Sequence, residues 1–235
     1  MSVKAYRLIQ KMETIVGYTT YVNLIESLLT ASQQIIKTGM GEEKTRAEKA
    51  INLARKGNQV GVVSSGDAGI YGMAGLVLEM LSRKNINLET EVVPGITAAT
   101  AAASSLGAPL MHDQAIISLS DLLTPWEIIE TRLYKAAEGD FITALYNPSS
   151  KSRTENIKKA QKIFLQYRKE TTPVGIVQGA KRKNENIILT DLKNMLNQKI
   201  DMRTTVIIGN SETFIEQNNM YAQNGVMITP RGYNL

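Results

Sequence analysis

Between Val60 and Met73 the chain reads as a strand, a glycine-rich turn and the start of a helix, and this stretch constrains its fold most. Val60-Gly61-Val62-Val63 is apolar without polar alternation, the pattern of a parallel strand buried on both faces. Gly66, Gly69 and Gly72 permit a tight turn and leave no Cβ to obstruct a ligand. Ile70, Met73, Ala74, Val77, Leu78 and Leu81 follow at three-and-four spacing, which predicts a helix with one buried stripe. In an open α/β sheet the carboxyl end of such a strand is where small molecules bind. A glycine turn by itself is equally an ordinary strand-to-helix connection.

The rest of the chain repeats this alternation. Helices are predicted over 3–12, 21–29 (Tyr21, Leu24, Ile25 and Leu28 inward), 42–56 and 97–106. Two capping boxes, Thr124-Pro125-Trp126-Glu127 and Ser152-Arg153-Thr154-Glu155, each announce a further helix, the second with Ile157, Ala160, Phe164 and Tyr167 inward. Thr190 is read as the cap of a short helix. Strands are predicted over 14–17, 34–37, 60–63, 89–93, 115–119, 140–145, 173–177, 187–189 and 204–208, with a hairpin over 214–228. Alternating strands and helices argue an α/β protein. Ser120–Thr124 reads as the crossover between two halves, 1–119 and 120–235.

Bulk composition removes several kinds of chemistry. With no Cys among 235 residues, disulfides and thiolate catalysis are excluded, and a single His argues against a protein-built zinc site. No apolar run approaches the roughly 20 residues of a membrane span, and the start lacks a signal-peptide h-region, so a cytoplasmic protein without membrane partners is expected. The formal charge of +5 suits a polyanionic partner, either nucleic acid or a carboxylate-rich small molecule, and equally plain solubility.

Six ordered stretches together resemble the tetrapyrrole (corrin and uroporphyrinogen) methyltransferases. They are Ser64–Gly72, Val92–Ala99, Leu106–Asp113, Ile117–Trp126, Ala144–Arg153 and Val206–Ser211. The first two are shared across that family; the next three mark its C17-methylating subgroup. The resemblance implies two α/β domains, each a mainly parallel or mixed sheet flanked by helices, with S-adenosylmethionine (SAM) in the cleft between them. It implies methylation of C17 of precorrin-3B or cobalt-factor III with ring contraction, in cobalamin biosynthesis. It also implies a homodimer; the expectation of no protein-bound metal and no nucleic acid rests on composition instead. By the same resemblance Gly66, Asp67, Ile70, Thr97, Ala98, Asn147 and Gly175 are the cofactor-binding candidates. From the residues alone, Thr97 is either a hydroxyl donor or a helix cap, and Asp67 either a cofactor-loop residue or a turn cap.

One departure stands out. The family opens with a strand and a Gly-x-Gly-Pro-Gly loop, whereas Met1–Ala5 matches the helix after it. Truncation is the expectation, because losing an interior parallel strand would expose backbone groups and core.

Methyl transfer from a sulfonium to an electron-rich ring carbon needs positioning more than a base. Ring contraction needs proton movement, for which His112, Asp113 and Asp121 are the candidates, each with a structural role as the alternative. Lys151 and Arg153 are candidates for the substrate carboxylates, as are Lys181, Arg182, Lys183 and Arg231, although the 181–183 run also suits a solvated face. Methylation at C11 or C20, a non-catalytic remnant, and an RNA-binding or RNA-modifying protein of related fold stay open. Against RNA, aromatics are 6% of the chain and no basic-aromatic stripe is present.

Overall fold

The alternating pattern becomes two compact units, Met1–Thr97 and Ala98–Leu235, in a computed structural model that describes residues 1–217 and 225–234. The first unit runs α1 (Val3–Lys11), β1 (Thr14–Tyr18), α2 (Thr19–Asn23), β2 (Gln34–Thr38), α3 (Glu43–Ala54), β3 (Val60–Val63) and α4 (Ala74–Arg83). Its strands are parallel in the order β2-β1-β3, with Ile15 opposite both Ile35 and Gly61. The central strand, β1, buries Ile15 and Val16 completely, as its unbroken apolar run requires. α3 packs on β1 and β3 through the stripe Ala47, Ala50 and Ile51. Glu43 sits in its first turn, matching the positive end of the helix dipole.

Three expectations for this unit are corrected. The helix over 21–29 is instead the short α2 followed by a 3-10 turn at Glu26–Leu28, so Val22 and Ile25 are buried while Leu24 is exposed. The helix after the glycine turn begins at Ala74, leaving Ile70 outside it, and Leu78 faces solvent. The reason is local: Gly66 and Tyr71 both have positive φ (74° and 51°), which interrupts the helical path. Residues 89–93 form no strand, since they join no ladder among the described residues.

The second unit runs α5 (Ala98–Leu106), β4 (Gly107–Ala108), β5 (Gln114–Ser118), α6 (Trp126–Glu138), β6 (Ile142–Tyr146), α7 (Glu155–Phe164), β7 (Pro173–Gln178), β8 (Asn186–Asp191), β9 (Thr204–Ile208), β10 (Phe214–Glu216) and β11 (Val226–Ile228). Its main sheet is mixed, in the order β5-β6-β9-β7-β8, with β5 and β6 parallel and the other pairs antiparallel. Both faces are covered. Leu145, Val206 and Ile208 join Ile129, Leu133, Ile157 and Phe164 of α6 and α7, whereas Ala144, Tyr146 and Ile207 join Ala99, Ala102 and Leu106 of α5. Burial on both sides is why β6 and β9 carry no charged residue and no regular polar alternation. The small-residue helix α5 therefore belongs by contact with this sheet, ahead of the crossover at Ser120–Thr124.

The capping boxes are displaced. α6 starts at Trp126 with Pro125 at the N-cap, and α7 has Thr154 there; neither has a side-chain cap bond. Tyr167 lies beyond α7 and is half exposed, its ring edge-on to Tyr134. Thr190 continues β8 rather than capping, and the turn after it is set by Asp191, which accepts from Asn194 N–H at 2.8 Å. β10 and β11 pair antiparallel as the hairpin reading requires, and its connecting residues 218–224 lie outside the described residues.

Candidate functional site

At the end of β3 the backbone folds into an irregular turn over 64–73, organised by Asp67. Its Oδ1 accepts from Gly69 N–H and its Oδ2 from Gly95 N–H, both at 2.8 Å. The loops 66–70 and 94–97 are thus joined by one carboxylate. They touch closely: a Cβ on Gly95 would lie 2.0 Å from the Gly66 carbonyl oxygen. Gly72 is equally required, since its Cβ would lie 2.4 Å from the Ala68 oxygen. The N–H groups of Gly95, then Gly69, hold the Asp67 carboxyl below the usual aspartate range. Ile70 and Tyr71, 37% and 59% exposed, form an apolar surface on this turn. Thr97 ends the second loop, half-buried. Gly66, Asp67, Ile70 and Thr97 are therefore gathered within the first unit on two joined loops.

In the second unit the strand ends of β5 and β6 lie side by side, Ser118 opposite Tyr146. Asn147 follows with φ 49°, a left-handed conformation unusual for a non-glycine residue. Its Nδ2 donates to Ser118 Oγ at 3.0 Å and its carbonyl accepts from Arg153 Nη2 at 2.9 Å. Neither its backbone N–H nor its Oδ1 takes part in these bonds. Ala98 begins α5, where the next N–H, of Ala99, donates to the Tyr146 hydroxyl at 2.6 Å. Gly175 is buried in β7, and the space a Cβ would need is filled by Leu106, whose Cδ1 would be 2.4 Å away. Its missing side chain thus makes room for the protein's own α5.

The catalytic candidates are not brought together. His112 and Asp113 precede β5, with His112 Nδ1 accepting from Asp113 N–H at 2.9 Å. Asp121 follows the other end of the strand, and five residues of extended chain put about 17 Å between the ends. Asp121 shares the Asn147 end, its Oδ1 3.8 Å from Arg153 Nη1. Arg153 departs from the sequence expectation of a cation presented to substrate: its side chain is 10% exposed and turned inward. Lys151, on the same loop, is exposed, as are Lys181, Arg182, Lys183 and Arg231. Sequence reasoning gave no role to Ser118, Ser120 or the Tyr146 hydroxyl. The available signal was polar residues closing an otherwise apolar strand.

Comparison with known proteins follows the same lines. The family model for tetrapyrrole (corrin/porphyrin) methylases matches residues 1–196. A cobalt-factor III methyltransferase of Priestia megaterium is 53% identical over 98% of this chain, which spans 42% of that protein's length. A probable cobalt-factor III C(17)-methyltransferase of Salmonella typhimurium is 48% identical over 100% of this chain and 94% of its own. Among solved structures, the methyltransferase CobJ superposes with a TM-score of 0.89 at 34% identity, over 98% of this chain and 93% of that one. A uroporphyrin-III C-methyltransferase of Thermus thermophilus, solved with S-adenosylhomocysteine, shares the fold, with a TM-score of 0.66 at 21% identity over 89% of this chain and 86% of that one.

Proposed function

The chain belongs to the tetrapyrrole (corrin/porphyrin) methylase family, and from that premise we propose that it methylates C17 of cobalt-factor III or precorrin-3B, with ring contraction, in cobalamin biosynthesis. The observation that carries the proposal is its identity of 48% to the Salmonella typhimurium protein along nearly the full length of both.

When bound, SAM supplies an electrophilic methyl group. We assign its binding to Gly66, Asp67, Ile70 and Thr97 in the first unit and to Ala98 and Asn147 in the second. The residues suit it. Asp67 fixes its turn so that Ile70 and Tyr71 stay exposed as an apolar surface. Asn147 keeps one donor and one acceptor outside its internal bonds, a match for the polar edge of a nucleoside. Gly175 acts from beneath, by seating Leu106 under α5. The nucleophile is the ring carbon itself, so these residues orient two reactants and exclude water rather than remove a proton. For the proton movement of ring contraction, Asp121 is better placed than His112 or Asp113, because it shares the Asn147 strand ends. Lys151 is the cation we assign to a substrate carboxylate. A cytoplasmic homodimer without resident metal completes the reading. Among the described residues, no helix is long and apolar enough to cross a membrane.

Incubation with SAM and cobalt-factor III or precorrin-3B tests the reaction. The expected product is heavier by one methylene and ring-contracted, with S-adenosylhomocysteine released in equal amount. Methylation at C11 or C20, or none with either substrate, refutes it.

A further inference from the structure

The connection from β6 to α7 closes on itself. Ser150 and Arg153 form an isolated antiparallel bridge, the Ser150 N–H donating to Arg153 O at 2.9 Å. The Arg153 side chain then turns back over the loop it ends. Nη2 donates to Asn147 O at 2.9 Å and Nη1 to Ser120 Oγ at 3.0 Å, with Asp121 Oδ1 3.8 Å from Nη1. Asn147 reaches the opposite way, to Ser118. The ends of β5 and β6 are therefore cross-braced by a forked guanidinium and a side-chain amide.

The brace is costly. Nε of Arg153 is buried without a hydrogen-bond partner among the described residues. A buried guanidinium with one donor unsatisfied is poorly suited to stabilising the fold alone. What it secures is a conformation: Asn147 at φ 49°, which a non-glycine residue rarely adopts unless its surroundings hold it there. An arginine set to meet a substrate carboxylate would turn its fork outward, and here both Nη atoms are committed to protein acceptors.

We infer that Arg153 is a positioning residue for the methyl donor: its guanidinium locks the β5 and β6 ends together and holds Asn147 in its left-handed turn. The ligand named here rests on the methyltransferase reading; the brace itself does not.

The test uses the full chain, R153A and R153K, with S-adenosylhomocysteine calorimetry and amide hydrogen exchange on the ligand-free proteins. R153A removes two charged hydrogen bonds and should weaken S-adenosylhomocysteine binding roughly tenfold to hundredfold. Exchange should rise at Leu119 and Ser150, whose N–H groups bond to Tyr146 O and Arg153 O across the braced ends. R153K keeps the charge but not the fork, so its affinity should stay within about threefold of R153A. At saturating SAM, the tetrapyrrole KM should stay within about threefold of the native value, because this side chain spends its donors on protein.

Native S-adenosylhomocysteine affinity in R153A overturns the inference whatever the exchange shows. So does full recovery in R153K, or a loss confined to the tetrapyrrole KM. Should R153A fail to fold, R153K carries the same comparison with the native chain. If the native chain itself binds no S-adenosylhomocysteine, the functional reading fails, and exchange alone decides whether the brace exists.

Discussion

Substituting Gly175 with alanine isolates one contact in the second unit. The added Cβ would lie 2.4 and 2.7 Å from the two δ-carbons of Leu106, inside the 3.4 Å at which ordinary contact begins. Leu106 is 1% exposed, so its methyl groups have no solvent to swing into, and either α5 lifts or β7 bends. Overpacking of this kind costs about 1–3 kcal/mol. Leu106→Ala alone costs about 2–5 kcal/mol through lost burial and the cavity left behind. Combined, the two partly cancel, because the new Cβ enters the space the leucine vacated. The cost of G175A in the L106A background should fall close to zero, a coupling of about 1–3 kcal/mol. Urea unfolding followed by Trp126 fluorescence measures it. Trp126 is the single tryptophan and packs against the core of this unit. A shifted midpoint at constant slope reads as stability. Equal cost of G175A in both backgrounds would refute the packing account, as would an S-adenosylhomocysteine affinity that collapses while the midpoint holds, which would mean the face over Gly175 meets ligand.

Three further outcomes are expected. Asp67 has a folded pKa below its unfolded one, so its contribution is present above the unfolded value and is lost as pH falls through the folded value; D67N should therefore flatten the acid limb of the first unit's stability in circular-dichroism melts, and an unchanged acid limb contradicts this. Gly95→Ala sets a Cβ against the Gly66 backbone, which cannot rotate away, so S-adenosylhomocysteine affinity should fall roughly tenfold or more while the Trp126 transition stays in place. Tyr146→Phe leaves the buried Ala99 N–H without its hydroxyl acceptor and should cost the second unit about 1–3 kcal/mol in urea.

What could be read from sequence was what neighbours in sequence decide. α3 was legible because Ala47, Ala50 and Ile51 recur on one face and Glu43 suits its first turn. The Asp67 turn was legible because Asp67 and Gly69 complete most of it within three residues. The helix through Ile70 was misread because three-and-four spacing was counted across a stretch in which Gly66 and Tyr71 have positive φ. The Ser152 capping box had the right spacing, but the Ser150–Arg153 bridge claims that backbone first. The inward turn of Arg153 was not legible, because a sequence shows a cation beside a strand end and not which way it points. Its acceptor Ser120 is 33 residues away and becomes a neighbour only when β5 and β6 pair. His112 and Asp121 are close in sequence, yet a whole strand holds them apart.

Residues 89–93 carry the point furthest, because a strand is a property of a pair. Val92 and Val93 suit a strand, but no ladder among the described residues takes them, and Val92 is 43% exposed. The segment is instead held by α1, through Ser2 Oγ on Pro94 O at 3.3 Å and Lys4 on Glu91. Among the described residues β3 is an edge strand: it pairs with β1 on one side, and its Val-Gly-Val-Val run carries none of the charges that usually guard an edge. The glycine turn assigned to SAM begins where β3 ends, so it leans on an edge strand of its sheet. Its order must come from elsewhere: the Asp67 carboxylate joins Gly69 to Gly95 and so ties the turn to a second loop, while Ser64 Oγ, accepting from Met73 N–H at 3.0 Å, closes it locally. Segments with few ladder bonds open at low free-energy cost. Cofactor affinity in this unit should therefore follow the Asp67 bond more closely than it follows the stability of the sheet.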